Sequence, residues 1–357
     1  MSKLFLTLLL SVSCLFAQGV KFQRAESCGK CHKEIYQQWK NSKHAFSTPE
    51  KNPLFAKIYE KSQKDTDGET KLYCIRCHAP VTMINGDFDL KEKITNEGVT
   101  CDVCHTLVEL SDNPKNWPNI YKPGKIKRGV FRDSKSSVHK NSYSKLLATS
   151  AICSGCHGDM LDIPGTRSCG NLTICDTDFE WKSTSFAGKG EDCKSCHMKA
   201  YKGKTAKGGP IRERIFRHDF PGAYSPEMLK KSVKLNLEAK EFEGEMVLSL
   251  GVKNQGAAHL VPTGPPARMA FIKVSAFNKK GEITWSNFKK NPVAEDPYGV
   301  FHIVFADVTG KKPSMPWLAS KIVKDTRLRP GELRKLVYKF SAKDVEQVEA
   351  KLFYRLF

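Results

Sequence analysis

Residues 28–44, CGKCHKEIYQQWKNSKH, hold two cysteines, a histidine directly after the second cysteine, and another histidine twelve positions later. The opening C-x-x-C-H pattern recurs along the chain. Motifs 1 to 5, numbered in chain order, occupy residues 28–32, 74–78, 101–105, 153–157 and 193–197. Ten of the 13 cysteines belong to these motifs, which shows that their spacing serves one repeated chemistry.

C-x-x-C-H is the attachment pattern of c-type haem. Its two thiols form thioethers with the vinyl groups, and the adjacent histidine supplies one axial nitrogen to iron. A zinc ribbon needs no histidine at that position, and a thioredoxin-like site needs one motif. We therefore expect five covalently attached haem c groups. The expected attachment residues are Cys28, Cys31, Cys74, Cys77, Cys101, Cys104, Cys153, Cys156, Cys193 and Cys196.

The number of histidines equals the number of axial ligands that five haems require, at two ligands for each haem. The chain has ten, and the motifs account for His32, His78, His105, His157 and His197. The remaining five are candidates for the second axial positions: His44, His139, His218, His259 and His302. Because the spacing of the motifs is irregular, we expect the porphyrins, rather than a tandem repeat, to form much of the N-terminal core.

His44 follows a segment with the periodicity of one continuous helix that begins after His32. Twelve helical residues span about 18 Å. Two nitrogen ligands of one metal lie only about 4 Å apart. The spacing therefore predicts that His44 serves a haem other than that of motif 1. A solvated helix histidine is the alternative.

His139 and His218 lie in different settings. The Ser-capped stretch around His139 predicts a helix. His218 lies in RHDFPGA, where Phe216, Phe220 and Pro221 favour an ordered turn. Both are expected as ligands, with a polar surface histidine as the alternative.

Three segments, CGKCHKEIYQQWKNSKHA, EGVTCDVCH and CKSCHM with RHDFPGA, resemble multihaem cytochromes related to cytochrome c-554 and the hydroxylamine oxidoreductase group. The resemblance covers roughly residues 25–225. The resemblance implies that two histidines are distal ligands: His44, which follows the Tyr/Trp helix, and His218, which precedes the Phe-Pro-Gly turn. GAAHLVPTG around His259 also resembles a loop of such cytochromes, with Ala258 in place of a glycine.

From about residue 230 the pattern changes to alternating apolar and polar residues, separated by turns such as Arg329-Pro330-Gly331. We predict a mixed fold: a mainly α-helical or irregular multihaem domain over residues 18–229, then an all-β immunoglobulin-like sandwich over 230–357. Residues 1–17 read as a signal peptide.

The predicted sandwich carries the last two spare histidines. Prolines in NQGAAHLVPTG restrict the backbone around His259, which favours a loop held out to a haem over a solvated turn. In GVFHIVFAD both strand faces are apolar, so the sequence favours equally a haem ligand and a buried sheet histidine at His302. Met83 and Met198 are weaker ligand candidates.

The chain carries 58 Lys and Arg against 38 Asp and Glu, a net charge of +20. Haem propionates would neutralise part of this charge, and the rest favours an acidic partner. Export argues against nucleic acid and favours the periplasm, with the cell surface as an alternative. Cys169 and Cys175 are expected to form a disulfide. Cleavage after Ala17 is favoured over a lipid anchor at Cys14.

The sequence thus predicts an electron carrier with bis-histidine haems between redox proteins, such as a membrane quinol-oxidising cytochrome as donor and a separate acceptor. A multihaem oxidoreductase is the alternative: if His302 is no ligand, one open haem could reduce a small nitrogen or sulfur oxyanion. A third interpretation is a homo-oligomer in which a neighbouring chain supplies a ligand.

Overall fold

The computed structural model describes residues 21–111, 119–158 and 177–356. The expected signal peptide and Cys14, Cys169 and Cys175 lie outside these ranges. Within them, every helix is too short or too polar to cross a lipid bilayer.

Short helices and turns dominate the first two thirds of the chain. The helices are α1 Ala25–Gly29, α2 Lys33–Lys40, α3 Pro53–Asp65, α4 Thr70–His78, α5 Thr82–Asn85, α6 Cys101–His105, α7 Lys145–Ala148, α8 Ala151–His157, α9 Thr177–Lys182, α10 Ser185–Gly188, α11 Cys193–His197, α12 Pro226–Ser232 and α13 Pro292–Glu295. Single 3₁₀ turns occupy Thr95–Glu97, Pro297–Gly299 and Pro316–Leu318.

Strand pairs of the N-terminal region are small, whereas those after α12 build extended sheets. The strands are β1 Leu107–Glu109, β2 Ile120–Tyr121, β3 Ile126–Gly129, β4 Lys140–Tyr143, β5 Ala200–Lys204, β6 Ile211–Phe216, β7 Val233–Phe242, β8 Glu245–Asn254, β9 Met269–Phe277, β10 Ile283–Ser286, β11 Val300–Phe301, β12 Ile303–Asp307, β13 Ala319–Asp325, β14 Leu333–Ser341 and β15 Gln347–Arg355.

The N-terminal region has little apolar core of its own. Its larger cluster of buried side chains comprises Phe22, Val81, Val103, Leu107 and Tyr121. A second cluster holds only three residues, around Trp39. Clusters of this size bury too little apolar surface to order such a long region by themselves. This agrees with the expectation that bound cofactors complete the core.

The C-terminal region is an antiparallel β-sandwich, as the alternating pattern predicts. One sheet has the order β14-β8-β7, and the facing sheet is built on β9, which pairs with β15, β10 and β11. In the first sheet Leu250 pairs with Leu336 on one side and Leu237 on the other. These side chains pack against Ile272 and Val274 of β9 in the same core cluster. Strands β12 and β13 form a separate pair.

Two helix predictions are wrong. Helix α2 ends at Lys40, and His44 lies in the following turns, where Ser42 N–H bonds to Trp39 O and Ala45 N–H bonds to Ser42 O. Residues around His139 form a serine turn, because Ser136 Oγ accepts from the N–H groups of Val138 and His139. Such side-chain bonds compete with helix formation.

Leu250→Ala should lower the free energy of unfolding of the sandwich by about 2–5 kcal/mol, because the side chain is 1% exposed and its removal leaves a cavity. Val337→Ala on the outer face of β14 is the control, since Val337 is 61% exposed. Denaturant titration of both variants measures the difference. Equal losses would contradict the assignment of the core.

Candidate haem-binding site

The motif cysteines lie on short helices that present both thiols on one side. Motifs 2, 3, 4 and 5 end helices α4, α6, α8 and α11, whereas motif 1 spans the junction of α1 and α2. Residues three positions apart share a helix face, so the two thiols of one motif point the same way. Asp192 caps α11 by accepting from Ser195 N–H at 3.0 Å. The local fold therefore suits attachment of one planar group through two thioethers.

All five motifs open into one connected cavity of about 1950 Å³. All ten motif cysteines and nine of the ten histidines line it; His302 is the exception. Sites for one small molecule usually reach about 1,000 Å³. The cavity is therefore large enough to receive several groups close to one another.

Four motif histidines each face a histidine from outside the motifs across the same distance. The ring centroids lie 6.3 Å apart in each of the four pairs: His32 with His139, His44 with His157, His105 with His218, and His197 with His259. The ring planes differ by 18° to 43°.

This spacing is the one that two imidazoles on one metal ion require. With each nitrogen about 2 Å from the metal and each ring centre roughly 1 Å behind its nitrogen, the centres lie roughly 6 Å apart. Stacked or hydrogen-bonded rings would have no reason to repeat one separation four times. The residues present thus fit a haem iron with two axial imidazoles at motifs 1, 3, 4 and 5.

Backbone carbonyls fix the orientation of most of these rings. Nδ1 donates to a carbonyl in His32, His78, His105, His197, His218 and His259, with acceptors Thr205, Ser47, Arg128, Pro221, Phe216 and Leu260 at 2.6–2.9 Å. A carbonyl only accepts, so the proton must lie on Nδ1. Nε2 is then the nitrogen with a lone pair for a metal.

The cavity also lowers the pKa of several of these rings. Removal from bulk water lowers the pKa of His44 to about 3 and those of His218 and His259 to about 4, with nearby histidines adding to the effect. The pKa of His157 falls to about 4 for the same main reason. A metal ligand must be the neutral imidazole, so these rings are in the binding form at neutral pH.

A close backbone contact holds the turn that carries His44. The His44 carbonyl accepts from Val99 N–H at 3.0 Å, and Gly98 passes beside it with φ +74°. A Cβ at Gly98 would lie 2.6 Å from that carbonyl oxygen. Trp39 Nε1 donates to Val99 O at 2.8 Å. Glycine in EGVTCDVCH is therefore needed to place His44 opposite His157 of motif 4.

His218 and His259 are held by amide side chains. Gln38 Oε1 accepts from the N–H of His218 at 2.9 Å, which connects the turn after β6 to helix α2. Asn254, fully buried at the end of β8, donates to the His259 carbonyl at 3.0 Å. These contacts place both rings opposite motif histidines far away in sequence.

The histidine of motif 2 faces a phenylalanine ring and not a second histidine. The ring of Phe55 stacks on that of His78 at a centroid distance of 3.9 Å. All ten histidines lie within the described residues, and none of the ring pairs places one opposite His78. Met198 lines the cavity beside His197, whereas Met83 does not line it.

His302 is not brought to any motif. It lies between β11 and β12, where its N–H donates to Thr326 Oγ1 at 3.1 Å. Its charged neighbours are Lys324, Arg355 and Asp325 on adjacent strands. Backbone hydrogen bonds to the facing chain keep this segment in the sheet, as the sheet-histidine alternative expects, and His302 does not line the cavity of the motifs.

Cysteines of different motifs lie close to one another inside the cavity. Cys28 is a near neighbour of Cys101, Cys77 of Cys156, and Cys153 of Cys193. Cys104 of motif 3 lies near Cys153 of motif 4. The attachment points therefore form a continuous series, 1–3–4–5, with motif 2 joined to motif 4.

The comparisons with known proteins agree with this geometry. The family model "Cytochrome c554 and c-prime" matches residues 27–106. The chain is also similar to a penta-heme cytochrome c552 from Thermochromatium tepidum, at 26% identity and a TM-score of 0.76, covering 95% of this chain and 92% of that one. No curated protein matches its sequence.

Both findings support a multihaem c-type cytochrome of the cytochrome c554 group. Its cofactor is covalently bound haem c, as the motifs predict. The mixed fold, helical and irregular before an antiparallel β region, is confirmed as well.

Several residues that position the opposed histidines carry no sequence pattern of their own. Gln38, Gly98 and Glu180 act through contacts with residues distant in sequence, whereas Asn254 acts on its own loop, five residues before His259. Gly98 had a detectable signal, because a glycine three residues before Cys101 suggests a close backbone approach.

His44→Ala should open the iron site of motif 4 and leave that of motif 1 unchanged, because His44 faces His157 and not His32. The high-spin fraction of the oxidised protein should rise by one site, as measured by electron paramagnetic resonance. Magnetic resonance of the haem methyl groups identifies the affected motif. A change confined to motif 1 would contradict the pairing.

Proposed function

We propose that this cytochrome carries five haem c groups and transfers electrons between redox proteins of the periplasm. Haem c supplies reversible one-electron oxidation and reduction of iron. The observation that carries the proposal is that all ten attachment cysteines line one cavity, with cysteines of successive motifs as near neighbours. Side chains of this kind hold successive redox groups side by side.

Four opposed histidine pairs support a carrier over an enzyme at motifs 1, 3, 4 and 5. If each pair fills both axial positions, small substrates have no coordination site there. Histidine in place of methionine at the second position favours low reduction potentials. His32, His105, His157 and His197 would serve as proximal ligands, with His139, His218, His44 and His259 as their partners.

The ends of the series are the places where a partner could exchange electrons. Cys31 of motif 1 and Cys196 of motif 5 are the exposed motif cysteines, whereas the other eight are partly covered. A docked protein approaches an exposed attachment edge more closely than a covered one. We therefore assign entry and exit of electrons to motifs 1 and 5.

The surface around motif 1 suits an acidic partner. Five exposed lysines, which we call the motif 1 lysine patch, surround it: Lys30, Lys33, Lys135, Lys140 and Lys207. The N–H of Lys207 bonds to Cys31 O at 2.8 Å, so this lysine adjoins the motif directly.

None of these lysines forms an ion pair among the described residues. The carboxylate of Asp133, beside Lys135, is already paired with Arg212. Val138 adds an apolar side chain that is 76% exposed. A redox protein with an acidic docking face is the complementary partner.

Replacing Lys30, Lys33 and Lys207 together by Glu should slow reduction by an acidic flavodoxin about tenfold or more at low salt, because electrostatic attraction accelerates encounter. Stopped-flow absorbance measures the second-order rate constant. The difference should shrink as salt increases. Reduction by dithionite, a small reductant, serves to check that the haems remain intact.

Lys240, Lys335 and Lys339 on the outer sheet face of the sandwich provide the matched control, since they are also exposed. Their replacement by Glu changes the net charge equally but lies away from the motifs. Equal slowing in both triple variants would show that total charge, and not the motif 1 lysine patch, steers the partner.

A second function, reduction of a small nitrogen or sulfur oxyanion, is supported at motif 2. His78 is the motif histidine without a histidine opposite it. Its Nδ1–H donates to Ser47 O at 2.9 Å, which leaves Nε2 for iron. A water molecule or an oxyanion could then take the opposite position.

The unmodified oxidised protein should show one high-spin ferric haem, and the reduced protein should bind one equivalent of carbon monoxide. Intact mass should show five haem units, which establishes that all motifs are loaded. Nitrite, hydroxylamine and sulfite are the substrates to assay next. A fully low-spin protein that binds no carbon monoxide would contradict the open site and leave the carrier function standing.

A further inference from the structure

The carboxylate of Glu180 lies where helix α9 meets the loop that carries His259. Its side chain is 5% exposed. Oε2 accepts from Leu260 N–H at 3.1 Å and from Thr263 Oγ1 at 2.7 Å. Oε1 accepts from Arg327 Nη1 at 2.9 Å. One buried carboxylate of the N-terminal region therefore binds three donors of the sandwich.

The first of these donors is next to the imidazole itself. Leu260 directly follows His259, and the Leu260 carbonyl accepts from His259 Nδ1 at 2.9 Å. The residue that Glu180 holds by its N–H is thus the residue whose carbonyl sets the orientation of the ring. The ring centroids of His259 and His197 lie 6.3 Å apart, and a shift of Leu260 would move the His259 ring away from this position.

Arg327 is itself held in place by a second carboxylate. Asp325 accepts from Arg327 Nε at 3.0 Å and from Nη2 at 2.7 Å. The next residue, Leu328, exchanges two backbone hydrogen bonds with Val261 of the same loop, at 2.9 and 3.0 Å. The guanidinium that neutralises Glu180 is therefore fixed to the loop as well.

We propose that Glu180 is a positioning residue that holds His259 opposite His197. The proposal rests on the proposed role of His259 as an axial ligand. Without the carboxylate, the N–H of Leu260 loses its acceptor, and the residues between β8 and β9 keep only the contact of Thr263 Oγ1 with Thr177 Oγ1, at 2.8 Å, as a side-chain hydrogen bond to α9. Asn254 still holds the His259 carbonyl from the sandwich side, so the loop would detach from the haem region and not unfold.

The expected effect is large, because hydrogen bonds to a buried carboxylate are charge-assisted. Their loss should change the equilibrium between ligated and detached His259 about tenfold or more. Glutamine has nearly the same shape as glutamate. Because both oxygens of Glu180 accept hydrogen bonds, the amide NH₂ of a glutamine would face one of the donors instead of accepting from it. Glu180→Gln therefore removes the interaction with little change in volume.

The experiment compares Glu180→Gln with His259→Ala in the complete, haem-loaded protein. We expect His259→Ala to bind one more equivalent of carbon monoxide than the parent and to gain one high-spin site. Glu180→Gln should gain a fraction of the same site, at motif 5 only. Glu227→Gln is the matched control, since Glu227 is an exposed glutamate paired with Lys231, and its spectrum should equal that of the parent.

Thr263→Val provides a milder test that keeps the buried charge and its arginine. It removes one of the three donors, together with the contact of Thr263 with Thr177 Oγ1, and should give a smaller gain of the same signal. If Glu180→Gln does not fold, the difference between Thr263→Val and Thr177→Val, which removes only the Thr177 contact, tests the role of Glu180. Circular dichroism and thermal unfolding report any general loss of structure.

The outcomes separate the two hypotheses. If His259→Ala opens a site while Glu180→Gln or Thr263→Val, although folded, keep the parent spectrum, Glu180 only stabilises the junction and the proposal is overturned. If His259→Ala itself leaves the spectrum unchanged, the ligand assignment fails and this proposal fails with it. A graded gain at motif 5, absent in Glu227→Gln, supports it.

Discussion

Opposition of two imidazoles across a fixed gap is the constraint on which the architecture depends. A ring pair spaced for one metal tolerates little error, so each distal histidine must be held from several sides. For His218 and His259 the structure does this with backbone carbonyls at Nδ1 and with amide or carboxylate side chains around the carrying segment. Helices of four to thirteen residues suffice, because the opposed pairs, rather than a large apolar core, set the positions of the segments.

The motifs could be identified from sequence because covalent attachment of haem is a local requirement, with two thiols and a histidine within five residues. The sandwich was also predictable, since alternation along each strand reflects one buried face. The pairing of the histidines could not be predicted, because His44 comes to lie opposite His157 only when the whole segment between them has folded. The helix predicted to carry His44 was too long, but the conclusion that His44 serves a different motif matches its position.

Counting histidines led to the prediction for His302. Ten rings for five irons suggested complete pairing, but numbers do not define geometry, and the sheet keeps His302 among Lys324, Asp325 and Arg355. Glu180 was missed for the opposite reason. A single glutamate in a short helix has no pattern, and its importance comes from donors eighty and more residues away.

The loop between β8 and β9 has a consequence for the biogenesis of the protein. Cys193 and Cys196 precede residue 259 in the chain, so thioether formation at motif 5 can occur before the sandwich exists. The ring opposite His197 arrives only after β8, β9 and the strands around them have folded. If haem is attached first, motif 5 would thus stay reactive until the last strand pairs, and loss of that reactivity would report completed maturation.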